Sequence, residues 1–170
     1  DTNYYATYNQ PHVKLVDVSK TPIEAITPDG LSHNGVEYKF DALVLATGFD
    51  AMTGALFNID IEGKGGESLK EKWTGGPQTY LGLTTVGFPN MFTVTGPGSP
   101  SVLTNMLPSI EQHVNFIANC LSYMRENGHS VIEPELKAEL GWGVHVNEVA
   151  DLSLRSTCAS WYVGANVPGK

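Results

Sequence analysis

At Thr95 to Val114, TGPGSPSVLTNMLPSIEQHV, a glycine loop hands over directly to a helical pattern. Chemistry at such a junction comes from the backbone. Gly96 and Gly98 carry no Cβ, so a ligand can come close to the chain. The first amides of a helix have no intrahelical acceptor and sit at the positive end of its dipole. Such a terminus can hold a phosphate, an electron-rich carbonyl or a ring nitrogen. Gly96 to Met106 is therefore a candidate cofactor contact. The residues alone leave a plain strand-to-helix turn open as well, because Gly-Pro-Gly has no fixed meaning by spacing.

A second segment shares this plan. In ALVLATGFD, the apolar run Ala42 to Ala46 leads into Thr47-Gly48. Ligands of open α/β sheets sit beyond the carboxyl ends of strands. No GxGxxG, Walker-type loop or Gly-x-Ser-x-Gly is present. His12, His33, His113, His129 and His145 are scattered. His113 lies one residue from the apolar face of the helix and reads as structural, and Glu111 reads as a solvated face residue. No nucleophile, base and orienting group come together in the sequence, and no metal-ligand spacing is seen.

The elements that must position these residues follow from periodicity. Val13 to Val18, VKLVDV, reads as a strand. IEAIT, the turn Pro28-Asp29-Gly30, the turn His33-Asn34-Gly35 and alternating VEYKF complete a small antiparallel meander. Ala42 to Ala46 reads as a strand buried on both faces. Ser68 to Trp73 is a short helix, and Asn90 to Gly96 a buried strand ending in glycine. The clearest helix carries Ile110, Val114, Ile117, Leu121 and Met124 on one face. Asn105 caps its start, Pro108 falls in its first turn and Gly128 follows its end. A second helix spans Pro134 to about Val149, with Leu136, Leu140, Val144 and Val149 as its apolar side. Gly141 and Gly143 inside it cost about 1 kcal/mol each relative to alanine.

Composition narrows the function classes. The chain has 170 residues, enough for one domain with a core. Its net charge of −8 argues against general nucleic-acid binding. No apolar run approaches the roughly 18 residues that span a bilayer. The start DTNYYATYNQ has no signal-peptide character. Cys120 and Cys158 read as ordinary thiols of a reducing cytoplasm. Both ends look cut, so a fragment is expected.

DALVLATGFDAMTGALF and GPGSPSVLTNMLPSIEQHV, with KEKWTGGPQTYLGLTTVGFPNMF, HVNEVAD and SWYVGANVPGK, carry a family resemblance. Over essentially its whole length the chain resembles the C-terminal part of the flavin-dependent Baeyer–Villiger monooxygenases, nearest to the members that act on phenylacetone. The resemblance implies an α/β fold, the C-terminal portion of a flavoprotein with two dinucleotide-binding domains, one for FAD and one for NADP. It also implies FAD and NADPH as cofactors, and a ketone and O2 as substrates, with one oxygen atom inserted beside the carbonyl to give an ester or lactone. Oxygenation of sulfur or nitrogen by a related flavin monooxygenase, and a non-catalytic domain reusing the fold, are the alternatives.

By the same resemblance, residues 1–46 are the last piece of the NADP domain and 47–170 belong to the FAD domain. Thr47 and Gly48 match the ATG motif where the chain crosses between them. Gly96 to Met106, with Asn105, match the loop over the flavin ring, and the Met106 N–H would meet its pyrimidine edge. Ser101, Val102 and Leu103 would form a bulge beside the substrate pocket. Trp161 would bond the NADP ribose region, although a packing role stays open for it. The catalytic arginine of the family lies upstream, so the chain carries no catalytic side chain and is expected to be inactive alone.

Overall fold

The computed structural model describes residues 2–99, 104–160 and 163–165. The chain forms two compact units, Asp1–Ala46 and Thr47–Lys170.

The first unit holds helix α1 (Tyr4–Tyr8) and a three-stranded antiparallel sheet of order β1-β2-β3. Its strands are β1 (Ala25–Thr27), β2 (Gly30–His33) and β3 (Val36–Lys39). Ile26 pairs with Leu31, and Leu31 with Tyr38. Asn34 and Gly35 have φ of 51° and 70°, the left-handed pair that a two-residue hairpin requires. The meander is the one the turn residues predict. Two expected strands are not formed. Val13 to Val18 forms no regular element and has no ladder partner among the described residues, although Lys14 lies 5.0 Å above the Tyr38 ring. Ala42 to Ala46 also has no ladder partner among the described residues, and Val44 is 84% exposed. An apolar run becomes a buried strand only where neighbouring strands exist to flank it, and none of the described residues supplies them.

The second unit is built around Leu69, Trp73 and Phe88, with Leu56, Phe57, Ile61 and Met91 packed against them. Helix α2 is Gly54–Phe57 and helix α3 is Leu69–Lys72. The expected start of α3 is seen in full. Ser68 accepts the Glu71 N–H, and Glu71 returns the bond to the Ser68 N–H, forming a capping box. Trp73 donates its indole N–H to the Gln78 carbonyl at 3.0 Å, which turns the chain into the following loop. Glu133 accepts the Gly87 N–H at 2.7 Å and pairs with Lys64. These contacts lower the Glu133 pKa. Asn90 donates to the Ser130 carbonyl and accepts the Ile132 N–H, which fixes the same junction.

Asn90 to Gly96 is not a strand. Asn90 and Thr95 have φ of 62° and 53°, so the extended run is broken at both ends. The N–H groups of Asn90, Thr93 and Gly96 bond to the carbonyls of Ile132, Leu83 and Gly82, which do not form one ladder.

Helix α4 spans Met106–Glu126. Asn105 caps it by accepting the Leu107 N–H at 3.1 Å. Its inward stripe is Met106, Ile110, His113, Ile117, Cys120 and Met124, at alternating spacings of four and three. Val114 and Leu121, expected on the core side, are half exposed. Helix α5 spans Leu136–Asp151 and shows a larger rotation. Leu136, Leu140, Val144 and Val149 are all exposed, while Glu139, Trp142, Val146 and Ala150 turn inward. A short 3-10 turn, Leu154–Thr157, follows. Among the described residues no helix is long and apolar enough to cross a membrane.

Candidate functional site at the start of helix α4

The loop Thr95–Ser99 is held by partners on three sides. Thr95, in the left-handed region, donates its N–H to His113 Nδ1 at 3.0 Å. His113 is buried, and that burial pulls its pKa down. A ring accepting at Nδ1 is neutral and carries its proton on Nε2. The Gly96 N–H bonds the Gly82 carbonyl at 3.1 Å, and the same carbonyl accepts from the Thr93 hydroxyl at 2.9 Å. A Cβ on Gly96 would fall 2.4 Å from Thr93 Oγ1 and 2.6 Å from the Gly82 oxygen, so only glycine fits. Thr79 donates its hydroxyl to the Pro97 carbonyl at 2.6 Å, and Trp142 its indole N–H to the Gly98 carbonyl at 3.0 Å.

The loop, the first residue of α4 and the end of α5 face one cleft of about 440 Å³. Gly96, Ser99, Met106, Asn147, Asp151 and Cys158 are among its lining residues. Met106 is the first residue of α4 and its N–H has no intrahelical acceptor. The cleft wall thus combines glycine backbone, the first residue of α4 and the apolar residues Val146 and Val163. A flat, electron-rich ring with carbonyl acceptors at its edge suits that surface. Beyond Gly98 lies a second cleft lined by Gln78, Thr79, Glu139 and Trp142. There Glu139 is 1% exposed and accepts the Val86 N–H at 2.8 Å through Oε1. Its Oε2 has no hydrogen-bond partner among the described residues.

No protein-family model matches the chain. Over 169 residues it is 41% identical to a Baeyer–Villiger monooxygenase from Pseudooceanicola batsensis, a match that covers 99% of this chain and 31% of that enzyme. The chain is homologous to the Baeyer–Villiger monooxygenases. It spans about a third of the length of the curated relatives it matches. The crystal structure of OTEMO in complex with FAD and NADP superposes with a TM-score of 0.81 at 40% identity. That likeness covers 95% of this chain and 30% of the other. The portion of an FAD/NADP flavoprotein fold anticipated from the sequence, with its small meander and long helix, is therefore the fold found. Phenazine N-monooxygenase PhzNO1 from Lysobacter antibioticus is also 41% identical over 169 residues, or 99% of this chain and 31% of that enzyme.

Of the residues singled out in the sequence, Gly96 and Met106 share the cleft, and Asn105 caps the helix that opens on it. Thr47 and Gly48 do not line it. Both are exposed, and Gly48 has φ of 80°. Ser101, Val102, Leu103 and Trp161 lie outside the described residues. His113 and Glu111 are placed as expected, the first buried and the second exposed. Thr79, Gly82, Thr93 and Trp142 were missed. The bonds of Thr79, Gly82 and Trp142 to the loop, and that of Thr93 to Gly82 behind it, join residues 11 to 44 positions apart, and no local pattern announces such contacts.

Proposed function

We propose that the chain is the part of an FAD- and NADPH-dependent Baeyer–Villiger monooxygenase that closes one side of the flavin site. The full-length protein would insert one oxygen atom of O2 next to a ketone carbonyl to give an ester or lactone. The observation that carries this reading is the junction itself. Gly96, where no side chain fits, and Met106, the first residue of a 21-residue helix, line one cleft. FAD, when bound with NADPH, supplies the redox chemistry and the activation of dioxygen. The chain's own residues hold and polarise. The Met106 N–H would donate to the pyrimidine edge of the ring, and the α4 dipole would favour negative charge there. Gly96 and Gly98 allow close approach, and the Met106 side chain excludes water.

Residues 1–46 are proposed as the last piece of the NADP domain and 47–170 as part of the FAD domain. The unit boundary between Ala46 and Thr47, directly before Thr47-Gly48, supports that division. Trp161 is proposed to reach the NADP ribose, and Ser101, Val102 and Leu103 to border the ketone. The residues flanking both segments, Ser99 on one side and Cys158 and Val163 on the other, line the same cleft. Two free cysteines suit a reducing, cytoplasmic location.

The test is product analysis. The full-length protein is supplied with NADPH, isotopically labelled dioxygen, and in parallel a cyclic ketone, an aryl ketone, a sulfide and a phenazine. The expected product is a labelled ester or lactone. Formation of only the sulfoxide or N-oxide refutes the ketone assignment in favour of heteroatom oxygenation, the activity that the name of one equally similar relative records. Deleting Ser101 to Leu103 is expected to change relative kcat/KM across a series of small to large ketones. An unchanged series contradicts the pocket assignment.

A further inference from the structure

The peptide between Gly98 and Ser99 is the last one described before residues 100–103, and it is fixed from both edges. Its N–H, on Ser99, donates to the Gly96 carbonyl at 3.1 Å. Its carbonyl, on Gly98, accepts the Trp142 indole N–H at 3.0 Å. Gly98 has φ of 77°, a backbone conformation open to glycine at little cost, and these two bonds hold the peptide that follows it. The Ser99 bond lies within the loop and moves with it. The Trp142 bond comes from α5 and ties the loop to a separate element.

Trp142 is itself well held. Its ring meets the Tyr80 ring edge-on, with centroids 6.4 Å apart, and packs at a tilt against His145 at 5.3 Å. One and two turns further along the same face of α5, Val146 and Ala150 line the cleft that Met106 opens on. The chain beyond α5 returns to that cleft through Cys158 and Val163. A shift of α5 by about 1 Å would break a 3.0 Å hydrogen bond.

We infer that Trp142 is a positioning residue for the oxygenation reaction. Through the Gly98 carbonyl it fixes the loop Thr95–Ser99, one wall of the cleft, against α5, whose Val146 and Ala150 form another. This inference rests on the proposed flavin reading of the loop. It gives Trp142 no direct contact with cofactor or substrate.

The experiment compares two variants of the full-length flavoprotein. Trp142→Phe keeps an aromatic ring but removes the N–H donor. Phe88→Leu lowers stability in the core, away from the loop. Two readouts are taken: the change in flavin absorption when NADP+ is added, and the KM and kcat for a small and a bulky ketone. Trp142→Phe is expected to reduce the NADP+-induced spectral change by about half. It is also expected to shift the KM ratio of the two ketones about threefold to tenfold, the factor that one neutral hydrogen bond supports, with kcat within about twofold. Phe88→Leu is expected to lower the melting temperature and move neither readout.

If Trp142→Phe behaves like Phe88→Leu, the positioning role is overturned. Should Trp142→Phe fail to retain flavin, Thr79→Val removes the neighbouring bond to the Pro97 carbonyl, together with the one its hydroxyl accepts from the Gly82 N–H, and must produce the same shift, or the inference falls. Met106→Pro separates the two layers. A shifted flavin potential in Met106→Pro beside wild-type behaviour in Trp142→Phe refutes the Trp142 role alone. Wild-type behaviour in both refutes the flavin reading as well.

Discussion

Gly96→Ala is the perturbation whose cost can be worked most directly from the structure. The added methyl would sit 2.4 Å from Thr93 Oγ1 and 2.6 Å from the Gly82 carbonyl oxygen. The second contact is with backbone, so a side-chain rotation cannot relieve it. Relief requires the 95–99 loop to move away from Gly82, which breaks the Gly96 N–H bond at 3.1 Å, or the Thr93 hydroxyl to turn away from its 2.9 Å bond. Overpacking of a tight site costs about 1–3 kcal/mol, and a lost hydrogen bond about 1 kcal/mol. The sum is about 2–4 kcal/mol. Gly75→Ala is the matched control, because a Cβ there meets nothing within 4 Å. The assay is urea denaturation of the full-length flavoprotein, followed by flavin fluorescence as the cofactor is released. Gly96→Ala should release flavin at clearly lower urea, and Gly75→Ala near the wild-type midpoint. A Gly96→Ala midpoint within about 0.5 kcal/mol of wild type, the ordinary scatter of neutral surface changes, would refute the close-packed loop.

Two further predictions concern the scaffold. Burial lowers the His113 pKa, while the unfolded chain titrates near the ordinary histidine value of about 6.5. Below that pH the unfolded state binds more protons, so the stability His113 contributes is complete above about pH 6.5 and is lost as pH falls through its folded value. The difference in urea midpoint between wild type and His113→Gln should shrink from pH 7.5 to 5.5, and a constant difference contradicts the neutral acceptor role. Trp73 is fully buried and bonds the Gln78 carbonyl. Trp73→Ala should cost about 3–5 kcal/mol, and Trp73→Phe less, since the ring volume is largely kept but the Gln78 carbonyl loses its donor. Equal midpoints for the two would contradict the packing described.

Helix α4 was readable almost to the residue, because its signals are local. Asn105 caps it, Pro108 sits where no N–H is needed, and Gly128 has φ of 71° just past its end. Which stripe of a helix is covered is a different matter. Helix α5 carries Leu136, Leu140 and Val144 on one side and Trp142, Val146 and Ala150 on another, and the second lies inward. Glu139 settles that choice through its bond to the Val86 N–H, 53 residues away in sequence. A residue-by-residue apolar count ranks a buried glutamate last. The strand read at 90–96 is broken by the left-handed Asn90 and Thr95, and those read at 13–18 and 42–46 lack partners among the described residues. Strand propensity reports fitness for a pleated, half-buried surface, and a strand still needs an edge to join.

The site was legible to the extent that it is made of backbone. Gly96 and Met106 stand out because a glycine loop abuts a capped helix, and they do share a cleft. The side chains that fix the loop come from Thr79, His113 and Trp142, with Thr93 bracing the Gly82 carbonyl that holds Gly96. Their spacing obeys no helical or strand period, so composition and pattern could not assemble them.

The central claim is that the Met106 N–H faces a flavin ring, and one pair of variants isolates it. Met106 is the first helical residue, a position where proline is tolerated. Asn105 before it is extended at φ −69° and ψ 116°, as a residue preceding proline must be. Met106→Pro therefore removes the N–H with the helix intact, and Met106→Ala removes the side chain alone. A hydrogen bond to a charged acceptor is worth about 1.5–3 kcal/mol, and about 1.4 kcal/mol corresponds to 30 mV for a two-electron couple. The flavin midpoint potential of full-length Met106→Pro should lie about 30–65 mV below that of Met106→Ala by the same conversion. Potentials that agree within ~10 mV, well under the conversion for a single weak bond, would contradict the account.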